Sequence, residues 1–271
     1  MKKLILIILA SSFVISCSTN SANDNSNNSN NTGLLLKTVS DGSGTSTFYY
    51  NGNKLINTID LDGTTSTLTY NGDLVNNAET NGSNYHKLSI MNYSNNLLIS
   101  ENSNINSNIN SSASNSNSNY TYNSDGSITE LYSDAFTNTS GNTSYYNNKT
   151  IRFYFNGNCI KQEYYSSINN VMTLSSSTIY TYDNKNNPLK NITGFYSWQN
   201  PHGGSFNNKI SETEKNESGV TLRISQFAYQ YNSQDYPISY TETRTPYTLS
   251  TSGTSSVPGN PTTYVTALTY Y

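Results

Sequence analysis

Phe48-Tyr49-Tyr50-Asn51-Gly52-Asn53-Lys54-Leu55-Ile56-Asn57-Thr58-Ile59-Asp60-Leu61-Asp62-Gly63-Thr64-Thr65-Ser66-Thr67-Leu68-Thr69-Tyr70-Asn71-Gly72-Asp73-Leu74-Val75 carries three hairpin signals in one run. Asn51-Gly52, Asp62-Gly63 and Asn71-Gly72 suit two-residue turns, because a type I′ turn needs positive φ at both central residues. Read literally, they set Phe48 opposite Leu55, Leu55 opposite Tyr70, Asn57 opposite Leu68, Ile59 opposite Ser66 and Leu68 opposite Val75. Side chains alternate along a strand, so this register gathers all of them on one mainly apolar face. Tyr49, Lys54, Thr58, Asp60, Thr65, Thr67 and Thr69 gather on the other, with Ile56 and Leu74 as exceptions. A helical period does not sort the residues this way. The expected fold is all-β: an antiparallel meander of Tyr-rich hairpins whose sheet curls to cover its apolar face, as a sandwich or an open barrel. Whether the sheet closes is left open.

The same grammar continues downstream. Tyr120-Thr121-Tyr122-Asn123-Ser124-Asp125-Gly126-Ser127-Ile128 and Phe153-Tyr154-Phe155-Asn156-Gly157-Asn158-Cys159-Ile160 each set two aromatics on one face, then a turn, then an aliphatic. Tyr180-Thr181-Tyr182-Asp183 and Tyr229-Gln230-Tyr231-Asn232 open two more such units, ending at Leu189 and Ile238. These units resemble the YD (RHS-type) repeat, Tyr-x-Tyr-Asp-x-x-Gly-x-Leu, and the small lipoproteins of Bacteroidetes-like bacteria built from degenerate copies of it. The resemblance implies a sheet-building habit over residues 33–271. It does not carry the toxin-encapsulating role of large YD-repeat proteins, because this chain is too short to build a cocoon. Glu101 to Asn119, nearly all Ser and Asn, is expected to be a long hairpin loop. Pro258 and Pro261 mark a last turn before a strand over Thr263 to Tyr271.

The N-terminus reads as an address. Met1-Lys2-Lys3 is a basic start, Leu4 to Ile15 is an apolar run too short to span a bilayer as a helix, and Val14-Ile15-Ser16-Cys17 closes it. This resembles the lipobox of bacterial lipoproteins. The resemblance implies a signal peptide over residues 1–16 and lipid attachment at Cys17, with two acyl chains on the sulfur and one (a palmitate-type chain) on the new amino terminus. More than one chain is what stable anchoring requires. Ser18 stands where an Asp would, in some bacteria, signal inner-membrane retention, so the implied address is the outer membrane, on its periplasmic or external face. Residues 17–32, almost entirely Ser, Asn and Thr, cannot bury enough apolar surface to fold and are expected to form a tether. Residues 33–271 then make one all-β domain.

Composition narrows the function. Net charge is −3 and the 14 Lys and Arg are scattered, which argues against nucleic acid as a partner. With 24 tyrosines, much of the buried area is expected to be Tyr ring, hydroxyls reaching water or a partner. If Cys17 is lipidated, Cys159 has no disulfide partner, and it reads as a small buried apolar residue. The sequence has no HExxH, CxxC, GxSxG or phosphate-cradling loop, so no catalytic, cofactor-binding or metal residue is assigned. His86 reads as an exposed strand residue. Glu212 and Glu214 read as decoration on a solvated strand face. Asp60-Leu61-Asp62-Gly63 lacks the rest of a calcium loop and reads as a turn. The most unusual loop is Trp198-Gln199-Asn200-Pro201-His202-Gly203-Gly204, and Trp198, Tyr196 and His202 are the candidate ligand contacts. The expectation is a non-enzymatic, lipid-anchored envelope protein with a structural or surface-interaction role. Its partners would be the membrane, through the anchor, and a cell-surface polymer or envelope protein. The alternative is a glycan- or polymer-binding module using exposed aromatics.

Overall fold

A computed structural model describes residues 33–107, 112–251 and 253–271; the implied signal peptide, Cys17 and the tether lie outside them. The first strands are β1 (Leu36–Asp41), β2 (Gly44–Asn51), β3 (Lys54–Ile59), β4 (Thr65–Asn71), β5 (Leu74–Asn81) and β6 (Tyr85–Ser94). They continue with β7 (Leu97–Ser107), β8 (Ala113–Tyr122), β9 (Ile128–Thr137), β10 (Thr143–Phe155), β11 (Asn158–Ile168) and β12 (Val171–Tyr182). After a helical excursion come β13 (Lys209–Asn216), β14 (Thr221–Tyr231), β15 (Pro237–Leu249), β16 (Ser256–Pro258) and β17 (Thr262–Tyr270). Each strand from β1 to β15 pairs antiparallel with the next in the chain, β15 pairs also with β17, and β17 pairs back onto β1. The sheet therefore closes into a 16-strand antiparallel barrel, with β16 a short outrigger on β15. Closure removes every long edge that an open meander would expose.

Two turn chemistries recur among the hairpins. Asn95-Asn96, Asn156-Gly157 and Asn169-Asn170 hold positive φ at both positions, the type I′ pattern that Asn and Gly tolerate. The second is a five-residue loop in which the first N–H donates to the fifth carbonyl and the fourth residue has positive φ. It spans Asp60–Thr64, Asn123–Ser127, Asn138–Asn142, Asn216–Val220 and Asn232–Tyr236, with Gly63, Gly126, Gly141, Gly219 and Asp235 in the fourth place. An Asn or Asp followed three residues later by Gly is thus the sequence trace of this loop.

A third device sets the register. Tyr50 pairs with Leu55 and Tyr49 with Asn57, so Ile56 is an extra residue, a β-bulge. The same step recurs at Asn76, Ile99, Ile160, Ile210 and Ile238, each just after a turn or connection at one rim of the barrel. The bulges correct the literal register. Phe48 lies opposite Thr58 and Leu68 opposite Ala78, while Ile59 and Asn57 face outward and Thr58 is buried. Asp62-Gly63 belongs to the five-residue loop, and the turns near Asn51 and Asn71 centre on Gly52-Asn53 and Gly72-Asp73. Phe48, Leu55, Leu68, Tyr70 and Val75 do share the inner face. The Ser/Asn tract is not a loop: Leu97–Ser107 and Ala113–Tyr122 are paired strands, with Asn102 opposite Asn117 and Asn104 opposite Asn115 on the outside.

At the bulged rim every strand that ends there finishes on an inward tyrosine. Tyr50, Tyr70, Tyr122, Tyr182 and Tyr270 donate their hydroxyls to the carbonyls of Leu36, Leu55, Leu98, Cys159 and Pro237, the first inward residues of the strands before them. Each ring covers apolar neighbours while its hydroxyl satisfies a carbonyl exposed by the bulge, which is why tyrosine serves where leucine would not. Leu36, Leu55, Val75 and Leu98, all fully buried, pack beneath this ring of tyrosines.

Candidate functional site

A 16-strand barrel is wide enough to leave a channel unless something fills it. Here the connection from β12 to β13, residues 183–208, folds back across the bulged rim as a plug. It contains one short helix, α1 (Phe195–Gln199), and a single 3-10 turn, Asn200–His202. Thr193 N donates to Asn53 O at 2.9 Å, and Asn191 Nδ2 to Leu34 O at 2.8 Å. Tyr154 donates to Asn200 O, departing from the ladder to hold the plug. Gly194 has φ +71, and a Cβ there would stand 1.9 Å from Asp73 O, so the plug meets the β4–β5 turn backbone to backbone. Apolar contact comes from Leu189, Ile192 and Phe195, each no more than 5% exposed.

The loop singled out by its composition lies inside this plug. Trp198 is half-buried, edge-on to Phe195 with centroids 5.6 Å apart, and its Nε1 has no hydrogen-bond partner among the described residues. Tyr196 packs on Phe206 at 4.4 Å. His202 points into the barrel wall. Its Nδ1 lies 2.8 Å from Trp198 O, which can only accept, so Nδ1 carries a proton. Nε2 lies 2.8 Å from Tyr120 Oη and 3.2 Å from Glu101 Oε2. The carboxylate contact is an ion pair without hydrogen-bond alignment, since Glu101 Oε2 receives no hydrogen bond. The three candidate contacts are thus brought together, and His202 anchors the plug to β7 and β8.

Next to them sits a second buried pair. Arg152 Nη1 is 2.9 Å from Glu130 Oε2 and 2.6 Å from Pro201 O, with the two side chains 8% and 11% exposed. Burial opposes ionisation of both carboxylates. For Glu101 the contact with His202, and then its charge, outweigh burial and hold the pKa down to about 2. For Glu130 the Arg152 charge does the same, lowering its pKa. Burial likewise works against protonated His202, and the contact with Glu101 and its charge raise the pKa nevertheless. Below its raised pKa His202 is a cation facing Glu101, and beside it Arg152 faces Glu130. Of these, Glu101, Glu130 and Arg152 carried no motif in the sequence. The only signal for them is parity, which turns them inward once the bulges are counted.

On the opposite wall the plug floors a lumenal cavity of about 370 Å³. Glu212 faces this lumen, not solvent as the sequence reading had it, and so by register does Glu214: Glu212 is 2.6 Å from Lys209 Nζ and 3.0 Å from Arg223 Nη2. Lys209 Nζ also lies over the rings of Phe227 and Tyr180, at 5.1 and 5.4 Å. Glu242 and Arg244 pair at 3.0 Å. Cys159 is buried as expected, 1% exposed, and its thiol is pushed up to about 11, chiefly by burial. His86 lies on the outer face, 2.9 Å from Glu79. Asp62 Oδ1 accepts the Thr64 N–H within its turn. Among the described residues no group of His, Cys, Asp and Glu side chains is arranged to hold a metal ion.

Geometry thus defines a closed antiparallel barrel with a folded-in plug at one rim and a charged, aromatic lumen above it. No protein-family model and no curated protein matches the chain. Among solved structures, it is similar to a porin-like protein from Bacteroides vulgatus ATCC 8482, with a TM-score of 0.54 at 10% identity, covering 88% of this chain and 99% of that one. A porin-like protein from Bacteroides uniformis ATCC 8492 matches at 12% identity over 88% of this chain and 96% of that one, with a TM-score of 0.43. The first likeness establishes the barrel fold.

Proposed function

We propose that this protein is a non-enzymatic envelope lipoprotein whose acyl chains on Cys17 hold a barrel that stands on the outer membrane without crossing it. The observation that carries this reading is the outer face of the strands. A membrane-spanning barrel presents a lipid-facing apolar band about 25 Å tall. Here the outward positions include Thr65, Thr67 and Thr69 on β4, Asn77 and Glu79 on β5, and Asn102, Asn104, Asn115 and Asn117 on β7 and β8. On β10 and β11 the outward Ile151, Phe153 and Phe155 are interrupted by Lys149, Lys161 and Glu163. Such polar side chains are costly in hydrocarbon and at home in water.

Chain direction supports the orientation. β1 enters at the plugged rim, so a tether from Cys17 would draw that rim toward the lipid and leave the other mouth facing away. A rigid polar barrel held this way suits contact with a cell-surface polymer or another envelope protein. The test is a site-specific protease sequence inserted after Asn31. Cleavage of isolated membranes is expected to release the barrel into the supernatant, while mass spectrometry finds a diacylglyceryl thioether on Cys17. A barrel that stays with carbonate-washed membranes after cleavage would overturn the reading.

A further inference from the structure

We propose that the lumenal cavity between the plug and β13–β15 is a binding site for a small acidic sugar, a pyranose bearing a carboxylate. The proposal is independent of how the barrel is attached to the envelope. It starts from the placement of three aromatic rings. Phe227, Tyr229 and Tyr240 face the cavity, with Tyr229 and Tyr240 centroids 5.4 Å apart and Phe227 and Tyr240 6.2 Å apart. The Tyr229 hydroxyl already donates to Lys209 O at 2.9 Å, so what this residue offers a ligand is ring face. Aromatic faces pack against the C–H surface of a sugar ring, a contact a purely hydrophilic pocket lacks.

Two guanidinium groups add the second element. Arg223 and Arg244 lie on adjacent strands, separated by Ser225, which is 1% exposed and stands directly opposite Arg244. Arg223 uses Nη2 on Glu212 and Glu214, while its Nε is enclosed with no hydrogen-bond partner among the described residues. Arg244 spends Nε and Nη2 on Glu242. Each side chain is still about two-fifths exposed, 37% and 42%, toward the lumen. Each therefore keeps its Nη1 donors for a charge-assisted contact with a carboxylate.

Unused donors select the ligand's sign. Lys209, Arg223 and Arg244 meet Glu212 and Glu242 along the cavity, and Glu214 adds a third carboxylate on Arg223, so the charges balance and what is left for a ligand is the unused guanidinium donors. Lys209 is spoken for by Glu212 and two rings, so the uncommitted positive donors belong to the arginines at the end of the cavity away from the plug. Glu242 beside them can accept from sugar hydroxyls, which favours a hydroxylated acid over an aromatic one. At about 370 Å³ the cavity falls within the roughly 300–1,000 Å³ span of small-molecule sites.

The test uses the full mature chain in detergent micelles, with digalacturonic acid as probe and cellobiose and benzoate as comparisons. Calorimetry is expected to show saturable binding of digalacturonic acid that weakens with added salt, with cellobiose and benzoate at least tenfold weaker. Arg244→Gln is expected to weaken it at least tenfold, while Lys149→Ala on the outer face leaves it unchanged. Saturation-transfer NMR on the wild type, irradiating aromatic protons, is expected to light up the sugar ring and keeps the proposal testable if Arg244→Gln fails to fold. No saturable binding, no aromatic transfer, equal affinity for cellobiose or benzoate, or a folded Arg244→Gln that binds as well as wild type would each overturn it.

Discussion

His202 Nε2 lies 3.2 Å from Glu101 Oε2, joining the plug to the barrel wall through a buried ion pair whose side chains are 15% and 13% exposed. The strength of this joint depends on both protonation states. The pKa of His202 is raised in the fold, so its contribution is complete below the ordinary value of about 6.5 and is lost as pH rises through the elevated value. The pKa of Glu101 is lowered to about 2, so its contribution is complete above the ordinary carboxylate range and lost as pH falls toward 2. The joint is therefore strongest between about pH 5 and 6.5. The difference in melting temperature between wild type and His202→Gln is expected to be largest in that window and to shrink at higher pH. A difference that grows steadily to pH 9 would contradict the assignment.

The neighbouring pair gives a sharper test of why buried charge is kept. Removing one partner strands the other, which costs about 3–5 kcal/mol, whereas replacing both with apolar residues is often neutral. Arg152→Leu alone is expected to lower the melting temperature by about 6–20 °C, using roughly 2–4 °C per kcal/mol for a domain of this size. Glu130→Leu with Arg152→Leu is expected to recover part of that loss. Pro201 O, which also accepts from Arg152, limits the recovery. Equal melting temperatures for the single and double variants would show that the ion pair itself is not what Arg152 supplies.

The tyrosine ladder predicts a contrast within one residue type. Tyr70 donates to Leu55 O at 3.0 Å, so Tyr70→Phe leaves a carbonyl unpaired and is expected to cost about 0.5–1.5 kcal/mol. Tyr93 occupies the same place in its hairpin, opposite Leu98, yet its buried hydroxyl has no hydrogen-bond partner among the described residues. Tyr93→Phe is expected to be neutral or stabilising in the same denaturant titration. Equal losses at both positions would mean that the ladder hydroxyls do not act through these bonds.

The ladder also shows how much of this fold can be read without coordinates. Paired aromatics followed by Asn or Asp and, three residues later, by Gly or Asp are local events, and they mark hairpin ends such as Tyr122 and Tyr231 correctly. Bulges are not local. Ile56 looks like any strand isoleucine, and only its neighbours' pairing reveals that it flips Asn57 and Ile59 to the outside. Glu101 to Asn119 read as loop because Asn has low strand propensity, which in Leu97–Ser107 and Ala113–Tyr122 is overridden by an outward, watered face in a closed sheet. The same closure hides polar residues inside. Glu212 sits in a polar run and looks solvated, yet its parity aims it at Lys209 and Arg223 in the lumen. Trp198 and His202 stood out by composition alone, but nothing in their sequence says that the loop folds inward.

Cys159 reports on whether the plug stays docked. Its backbone N–H donates to Ser205 Oγ of the plug at 3.0 Å, and its thiol, pushed up to about 11, is both covered and unreactive. Alkylation by iodoacetamide at pH 8 is expected only when the plug lifts or the barrel unfolds. Gly194→Ala places a Cβ 1.9 Å from Asp73 O at φ +71, a conformation that costs an alanine about 1–2 kcal/mol before the clash is counted. That cost alone shifts the docked-to-lifted balance by a factor of roughly 5–30. The variant is therefore expected to alkylate at Cys159 at least fivefold faster than wild type while its far-ultraviolet circular dichroism stays β-rich. An unchanged rate in a folded Gly194→Ala protein would mean that the plug does not lift as a unit, and that residues 183–208 are a fixed part of the wall.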